Sequence, residues 1–208
     1  MLQNRIDPWG RLNAVPDRGA LMGNRGILHD DQKRIVRPWA HKAWVTCLLS
    51  FKDIRREEVF TPGNYSELFF LDEATAFAAG HRPCFYCQRE RGLQFRAAWL
   101  AANVASALHA DFKMPAMDAQ LHAERTAGRG LKQTYPEVLA ALPVGTLFEH
   151  AGSAWLLAPD GCRPWSFGGY GDAAALPDTT EVAVLTPRSI VAAFRHGFTP
   201  HIHPSAGT

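Results

Sequence analysis

Residues 68–90, LFFLDEATAFAAGHRPCFYCQRE, carry the most specific pattern in the sequence. An aromatic pair is followed by an Ala-rich segment with acidic residues at its start and Gly80 at its end, which is typical of a short helix with a favourable dipole and a glycine C-cap. Cys84 and Cys87 follow in a C-x2-C motif, whose spacing lets a tight turn direct both sulfur atoms at one metal ion. Zinc needs two further ligands for a tetrahedron. The stretch predicts a helix that leads into a metal-binding knuckle.

The further ligands of such a site have to come from outside the knuckle. Cys47, in WVTCLLSF, is the best third ligand, because it is the only cysteine upstream of the knuckle and lies on a predicted buried strand. Three histidines compete for the fourth position: His29 on a neighbouring predicted strand, His41 with the same alternation parity as Cys47, and His81 beside the knuckle. The metal-free alternative is a pair of buried thiols that pack as small hydrophobic side chains. Cys162 is expected to be a lone thiol.

The same stretch resembles the zinc-binding N-terminal domain of Ada-type DNA alkyl-phosphotriester repair proteins. That family shows an aromatic pair, a short Ala-rich helix and then A-G-F-R-P-C-x-x-C. The positions that match are Phe69, Phe70, Gly80, Arg82, Pro83, Cys84 and Cys87, with His81 where the family has Phe. The family also has an upstream cysteine pair, one member of which is both zinc ligand and methyl acceptor, whereas this chain has only Cys47 there. The resemblance implies a related zinc knuckle and helix over about a tenth of the chain.

Outside the knuckle, the distribution of strand-like and helix-like patterns along the sequence predicts an α+β fold in a single domain over residues 1–208. Residues 1–70 are β-rich, residues 71–140 are helical, and residues 141–208 return to strands before a last short helix. The strands of the two ends are expected to share one sheet or a small barrel around the middle helices. Two finer expectations are a short helix at TYPEVLAAL (134–142) and a buried helical stripe formed by Leu93, Ala97, Leu100, Val104 and Leu108.

Composition and charge exclude several classes of protein. The chain has 208 residues, of which 47% are hydrophobic and 20% charged, which is ordinary for a globular protein. No apolar run approaches the ~20 residues that span a bilayer, so no membrane partner is expected. The first residues, MLQNRIDPWG, lack an apolar leader region, which favours a cytoplasmic protein. The formal charge of +2 neither requires nor forbids nucleic acid.

Other polar residues suggest chemistry away from the cysteines. Asp118 and His122 have an i, i+4 spacing on a predicted helix, where a carboxylate can orient an imidazole as a general base. Arg25, in a turn beside two glycines, can bind an anion. Arg82 and Arg89 flank the knuckle and can contact phosphates. The alternatives are a solvated helix face and an ordinary turn.

Three functional hypotheses follow. The leading one is a cytoplasmic zinc-knuckle protein that acts on or near nucleic acid or a nucleotide. The second is a metal-assisted or acid/base hydrolase of a small molecule or modified nucleotide, which uses Asp118 and His122. The third is a non-catalytic module in which the knuckle has a structural role. Alkyl transfer to Cys47 or Cys84 is a further possibility, since zinc-held thiolates are nucleophilic.

Overall fold

The computed structural model describes residues 1–52, 58–127 and 130–207. In these ranges the chain has the α+β fold that the sequence predicts, with four α-helices and two six-stranded sheets. The helices are α1 (Glu73–Ala78), α2 (Arg89–Asn103), α3 (Met114–Arg125) and α4 (Arg188–Arg195). The strands are β1 (Arg5–Ile6), β2 (Leu12–Asn13), β3 (Leu21–Asn24), β4 (Val45–Leu48), β5 (Leu68–Phe70), β6 (Arg82–Pro83), β7 (Tyr135–Val138), β8 (Leu147–His150), β9 (Ser153–Ala158), β10 (Gly161–Ser166), β11 (Gly169–Tyr170) and β12 (Glu181–Val184). None of the described helices combines the length and apolarity that a bilayer crossing requires.

The first sheet has the strand order β2-β1-β5-β3-β4-β6. Its centre is antiparallel, with β3 between β5 and β4, and Met22 stands opposite Cys47 in the register. The edge strand β6 pairs in parallel with β4, so that Val45 faces Arg82. This parallel pair brings the chain that leaves α1 back alongside the strand that carries Cys47.

Helix α1 forms where the sequence predicts it and lies entirely in the interior. The Asp72 carboxylate caps its first turn by accepting the Thr75 N–H at 2.8 Å, as an N-cap residue does. Gly80 follows the last turn with φ +82°, a left-handed conformation that favours glycine. The helix therefore ends where the chain must turn into β6.

The second sheet has the order β11-β10-β9-β8-β12-β7 and contains only strands from the second half of the chain. The expectation of one sheet shared by the two ends is therefore wrong. The two halves meet through side chains instead: Leu71, Ala74 and Ala78 from the α1 region share a hydrophobic core with Leu147 and Leu156. Burial of apolar side chains joins the sheets without a common hydrogen-bond ladder.

The segment 134–142 is a strand followed by a turn of 3-10 helix, and the expected α-helix there is wrong. Strand β7 pairs antiparallel with β12, with Tyr135 opposite Val184. Pro136 explains the difference, because a proline restricts the residue before it to an extended conformation and lacks an N–H for a helix.

The buried face of α2 also differs from the predicted stripe. Gly92, Phe95, Trp99 and Leu100 are buried, whereas Leu93 is 46% exposed. Ala97 and Leu108 are exposed as well, and Leu108 lies beyond the end of the helix. The aromatic residues bury more apolar area than the aliphatic set, so the helix presents the face that carries them.

Candidate metal centre

The two sheet neighbours β4 and β6 bring the cysteines together. Cys47 lies on β4, and Cys84 follows directly on β6, where its N–H donates to the Thr46 carbonyl at 2.9 Å. Cys87 lies on the turn that leads into α2. The three Sγ atoms are all within 4.8 Å of one another, and all three residues are half-buried. A strand and a knuckle that are distant in sequence thus form one cluster of thiols that can hold a metal ion.

Backbone hydrogen bonds make the knuckle a favourable place for a thiolate. The Tyr86 N–H donates to Cys84 Sγ at 3.4 Å, and the Gln88 N–H closes the turn on the Cys84 carbonyl at 2.9 Å. The Gln88 side chain donates to the Thr46 carbonyl at 2.9 Å, which fastens the turn to β4. These hydrogen bonds hold the knuckle turn against β4 and direct a backbone N–H at Cys84 Sγ.

The electrostatics of the cluster single out Cys84 as the first thiolate. A hydrogen bond from Cys47, together with N–H groups of the knuckle, lowers the pKa of Cys84 to about 5. The same hydrogen bond, together with burial, raises the pKa of Cys47. Burial also raises the pKa of Cys87. Three thiols that share so little space favour a bound cation, because a cation allows all of them to ionise together.

A pocket of about 760 Å³ opens directly beside the cluster. Its wall combines the three cysteines with two carboxylates, two amides, three hydroxyls, three aromatic rings and two aliphatic side chains. The residues other than the cysteines are Asn24, Val45, Leu48, Phe51, Glu58, Thr61, Asn64, Tyr65, Glu67 and Tyr86. Glu67 is buried, and its Oε2 accepts the Phe60 N–H at 2.9 Å. The cluster therefore faces a space of mixed polarity that is large enough for a small molecule.

Of the histidines proposed as fourth ligand, none joins the cysteines. His29 Nδ1 contacts Ser66 Oγ at 2.6 Å, and its ring stacks on Phe60. His81 Nε2 accepts the Arg25 Nε–H at 3.2 Å in the interior. His41 is exposed, and its ring lies beside Gly26. In the described part of the chain, no histidine, aspartate or glutamate atom completes the cluster within 4.8 Å.

Asp118 and His122 have separate partners and do not form the expected general-base pair. The two carboxylate oxygens of Asp118 accept from Arg82 Nε at 2.7 Å and Nη2 at 2.8 Å. His122 Nδ1 instead contacts Arg125 Nη2 at 3.0 Å. Burial and the charge of Arg125 lower the pKa of His122 to about 4. The helical spacing is as predicted, but the carboxylate is already held by an arginine.

The three arginines predicted to contact anions have different surroundings. Arg25 is 1% exposed, and Arg82 is buried in its pair with Asp118. Arg89, at the start of α2, is exposed. Only Arg89 is therefore available at the surface.

Sequence reasoning missed most of the pocket wall. Asn24 and Asn64 lie in segments that the sequence marks only as turns, and Thr61 lies in a segment that it marks as a short strand. The pairing of β3 with β4 places Asn24 opposite Val45 on the pocket wall. The sequence feature that could have indicated the pocket is the polar run Tyr65–Glu67, directly before the aromatic pair. Two of its three residues line the pocket.

The comparisons with known proteins identified no relative of this chain. No family model, no curated protein and no solved structure matches the chain. The resemblance of residues 68–90 to the Ada-type zinc-binding domain thus stays a prediction from sequence.

Proposed function

We propose that Cys47, Cys84 and Cys87 bind a zinc ion whose open side faces the neighbouring pocket, and that the protein acts on a small polar molecule there. The observation that carries the proposal is the approach of the three Sγ atoms to within 4.8 Å of one another on the wall of that pocket. Thiolates favour soft or borderline ions, among which zinc takes tetrahedral sites of this kind.

The ligand count favours an open site over a closed structural one. Structural zinc sites have four protein ligands, whereas catalytic sites have three and keep an exchangeable position. Three cysteines are present, and in residues 1–52, 58–127 and 130–207 no fourth side chain joins them. A zinc ion with an exchangeable position supplies Lewis acidity and lowers the pKa of a bound water. The metal-assisted hydrolase is accordingly the favoured class, with the pocket residues in place of Asp118 and His122.

The chemistry of the pocket wall indicates what the substrate offers. Glu58 and Glu67 contribute carboxylates, of which Glu58 also pairs with Lys33 and Glu67 also accepts the Phe60 N–H. Asn24 and Asn64 contribute amides, which donate and accept hydrogen bonds, so the wall suits a molecule with several polar groups. Phe51 and Tyr86 form an edge-to-face pair with ring centroids 5.3 Å apart.

The Lys52 ammonium lies 5.3 Å from the Phe51 ring and 5.2 Å from the Tyr86 ring. Aromatic side chains and a nearby ammonium group can both contact the face of a flat ring in a ligand. We infer a small, flat molecule with several polar groups, such as a nucleobase-like heterocycle.

Nucleic acid as a polymer has less support. Recognition of a phosphate backbone needs cations at the surface, and two of the three arginines proposed for that role are buried. We therefore favour the small molecule over the polymer.

Metal analysis of the purified protein tests the proposal. We expect one zinc ion per chain in the wild type, loss of the ion in Cys84→Ser, and retention in Cys162→Ser. Cys162 is the matched control, because it is a buried thiol in the second sheet and lies outside the cluster. A folded wild-type protein without metal, or equal zinc in both variants, contradicts the proposal.

Cobalt substitution tests the open position. Co²⁺ bound to thiolates has a visible spectrum that responds to a change of ligand. We expect addition of a small anionic ligand such as cyanide to change the spectrum of the wild type, because one position is exchangeable. An unchanged spectrum indicates a closed site and supports the structural module instead.

A further inference from the structure

Two buried arginines, Arg25 and Arg125, both pack against the indole ring of Trp44. The guanidinium carbon of Arg25 lies 4.0 Å from the ring centroid of Trp44, and that of Arg125 lies 3.7 Å from it. Arg25 is 1% exposed and Arg125 is 2% exposed. Arginine is rarely buried without a charged partner, so the pair demands a physical explanation.

The hydrogen bonds of these arginines go to neutral acceptors. Arg25 donates from Nη1 to the Gly10 carbonyl at 2.9 Å and from Nε to His81. Arg125 donates from Nη1 to the Gly80 carbonyl at 2.7 Å and from Nη2 to the Lys42 carbonyl at 2.6 Å. Within the described residues, neither guanidinium contacts a carboxylate, so the contacts orient the two groups but do not neutralise them.

The surrounding charges leave an excess of positive charge. Lys132 is half-buried, and its ammonium donates to the Ala78 carbonyl at 2.5 Å. Burial, together with the charges of Arg125 and Arg25, lowers the pKa of Lys132 to about 7.

The nearby acids do not balance this excess. Asp118 is engaged by Arg82, and Asp7 accepts from the backbone of Arg11 and from the side chain of Asn13. A negative charge in this region therefore has a strong electrostatic reason to bind.

Three unpartnered polar atoms belong to residues around one small cavity. Arg25 Nη2, Arg125 Nε and Thr126 Oγ1 are buried and have no hydrogen-bond partner among the described residues. All three residues line a cavity of about 20 Å³, together with Trp9 and Trp44. A space of this size holds about one water-sized species and is too small for a tetrahedral oxyanion. Unsatisfied buried donors are costly, so the cavity calls for an acceptor.

We propose that this cavity binds one chloride-sized inorganic anion, held by Arg25 Nη2–H, Arg125 Nε–H and the Thr126 hydroxyl. Hydrogen bonds from guanidinium groups to an anion are charge-assisted, and two of the three donors are of this kind. The anion offsets part of the excess charge of Arg25, Arg125 and Lys132. Its site uses none of the residues of the metal centre, so the inference does not depend on the proposed function.

The first test is a thermal melt of the metal-loaded protein in sodium gluconate with chloride added at constant ionic strength. We expect the melting temperature to rise with chloride and to saturate, because a ligand of the folded state stabilises it by mass action. An anion-independent melting temperature overturns the proposal and leaves the cavity to an ordered water.

Two variants separate the site from general salt effects. Thr126→Val removes one donor with little change of shape and is expected to raise the half-saturating chloride concentration about tenfold. Thr146→Val is the matched control, because its buried hydroxyl already donates to the Pro143 carbonyl at 2.7 Å in another part of the fold. Its chloride response should equal that of the wild type. An equal response in both variants contradicts the proposal.

Bromide gives a direct readout. Crystals grown in bromide should show one anomalous peak between the Arg25 and Arg125 side chains. A difference map with a water at that place and no anomalous signal overturns the proposal, whatever the melting data show.

Discussion

Arg82 and Asp118 form a buried, two-pronged ion pair, with Nε–Oδ1 at 2.7 Å and Nη2–Oδ2 at 2.8 Å. Arg82 belongs to β6, directly before the knuckle, and Asp118 belongs to the middle of α3. The pair therefore fastens α3 to the strand from which Cys84 emerges. Both oxygens of Asp118 are therefore engaged by Arg82 and not by His122, the partner that the sequence suggested.

Removal of the negative charge of this pair should be costly. We expect Asp118→Asn to lower the free energy of unfolding by about 3–5 kcal/mol, because the Arg82 guanidinium is left buried without a counter-charge. Urea unfolding of the metal-loaded protein measures this.

Asp160→Asn is the matched control, since Asp160 is exposed and its pair with Arg163 is screened by solvent, so that its loss should cost much less. Equal losses in the two variants contradict the structural importance of the buried pair.

His81 makes the fold sensitive to acid. It is fully buried, and burial together with the charges of Arg25 and Arg125 holds its pKa well below the usual 6.5. Below about pH 6.5 His81 is protonated in the unfolded chain but stays neutral in the folded chain. The free energy of unfolding therefore falls with decreasing pH, by up to about 1.4 kcal/mol per pH unit from this residue.

His81→Asn removes this contribution and should flatten the fall between about pH 6.5 and pH 5. Urea unfolding at several pH values, with wild type and variant both metal-loaded, measures the two slopes. Parallel slopes show that His81 does not contribute.

Substitution of Gly80 tests how closely the Arg125 side chain approaches the end of α1. Its φ is +82°, and a Cβ there would lie 2.4 Å from Arg125 Cδ. Gly63 has a similar φ of +78°, but no atom lies within 4 Å of its Cβ position. The two sites share the backbone strain and differ in packing.

We expect Gly63→Ala to cost about 1 kcal/mol, because only strain acts. Gly80→Ala should cost about 2–4 kcal/mol, because overpacking is added to the same strain. Thermal or urea unfolding compares the two variants. Similar losses indicate that the Arg125 side chain moves away without cost.

Local signals in the sequence predicted local structure well. The acidic start and the glycine end of residues 72–80 predicted α1. The choice of Cys47 as the third member of the cluster follows from its being the only cysteine upstream of the knuckle. It agrees with the structure because β4 and β6 are neighbours.

The features that the sequence did not reveal depend on long-range contacts. The spacing of Asp118 and His122 is local, whereas the partner of Asp118 lies on a strand far away in sequence. Likewise, an apolar stripe through Leu93 and the actual face through Phe95 and Trp99 both have helical periodicity. Which of the two is buried depends on what α2 packs against, namely α4.

X-ray absorption at the zinc edge of the purified protein counts the sulfur neighbours of the ion and therefore tests the open three-cysteine zinc site. We expect three sulfur atoms at about 2.3 Å and one oxygen or nitrogen atom at about 2.0–2.2 Å. Four sulfur neighbours, or fewer than three, would contradict this expectation.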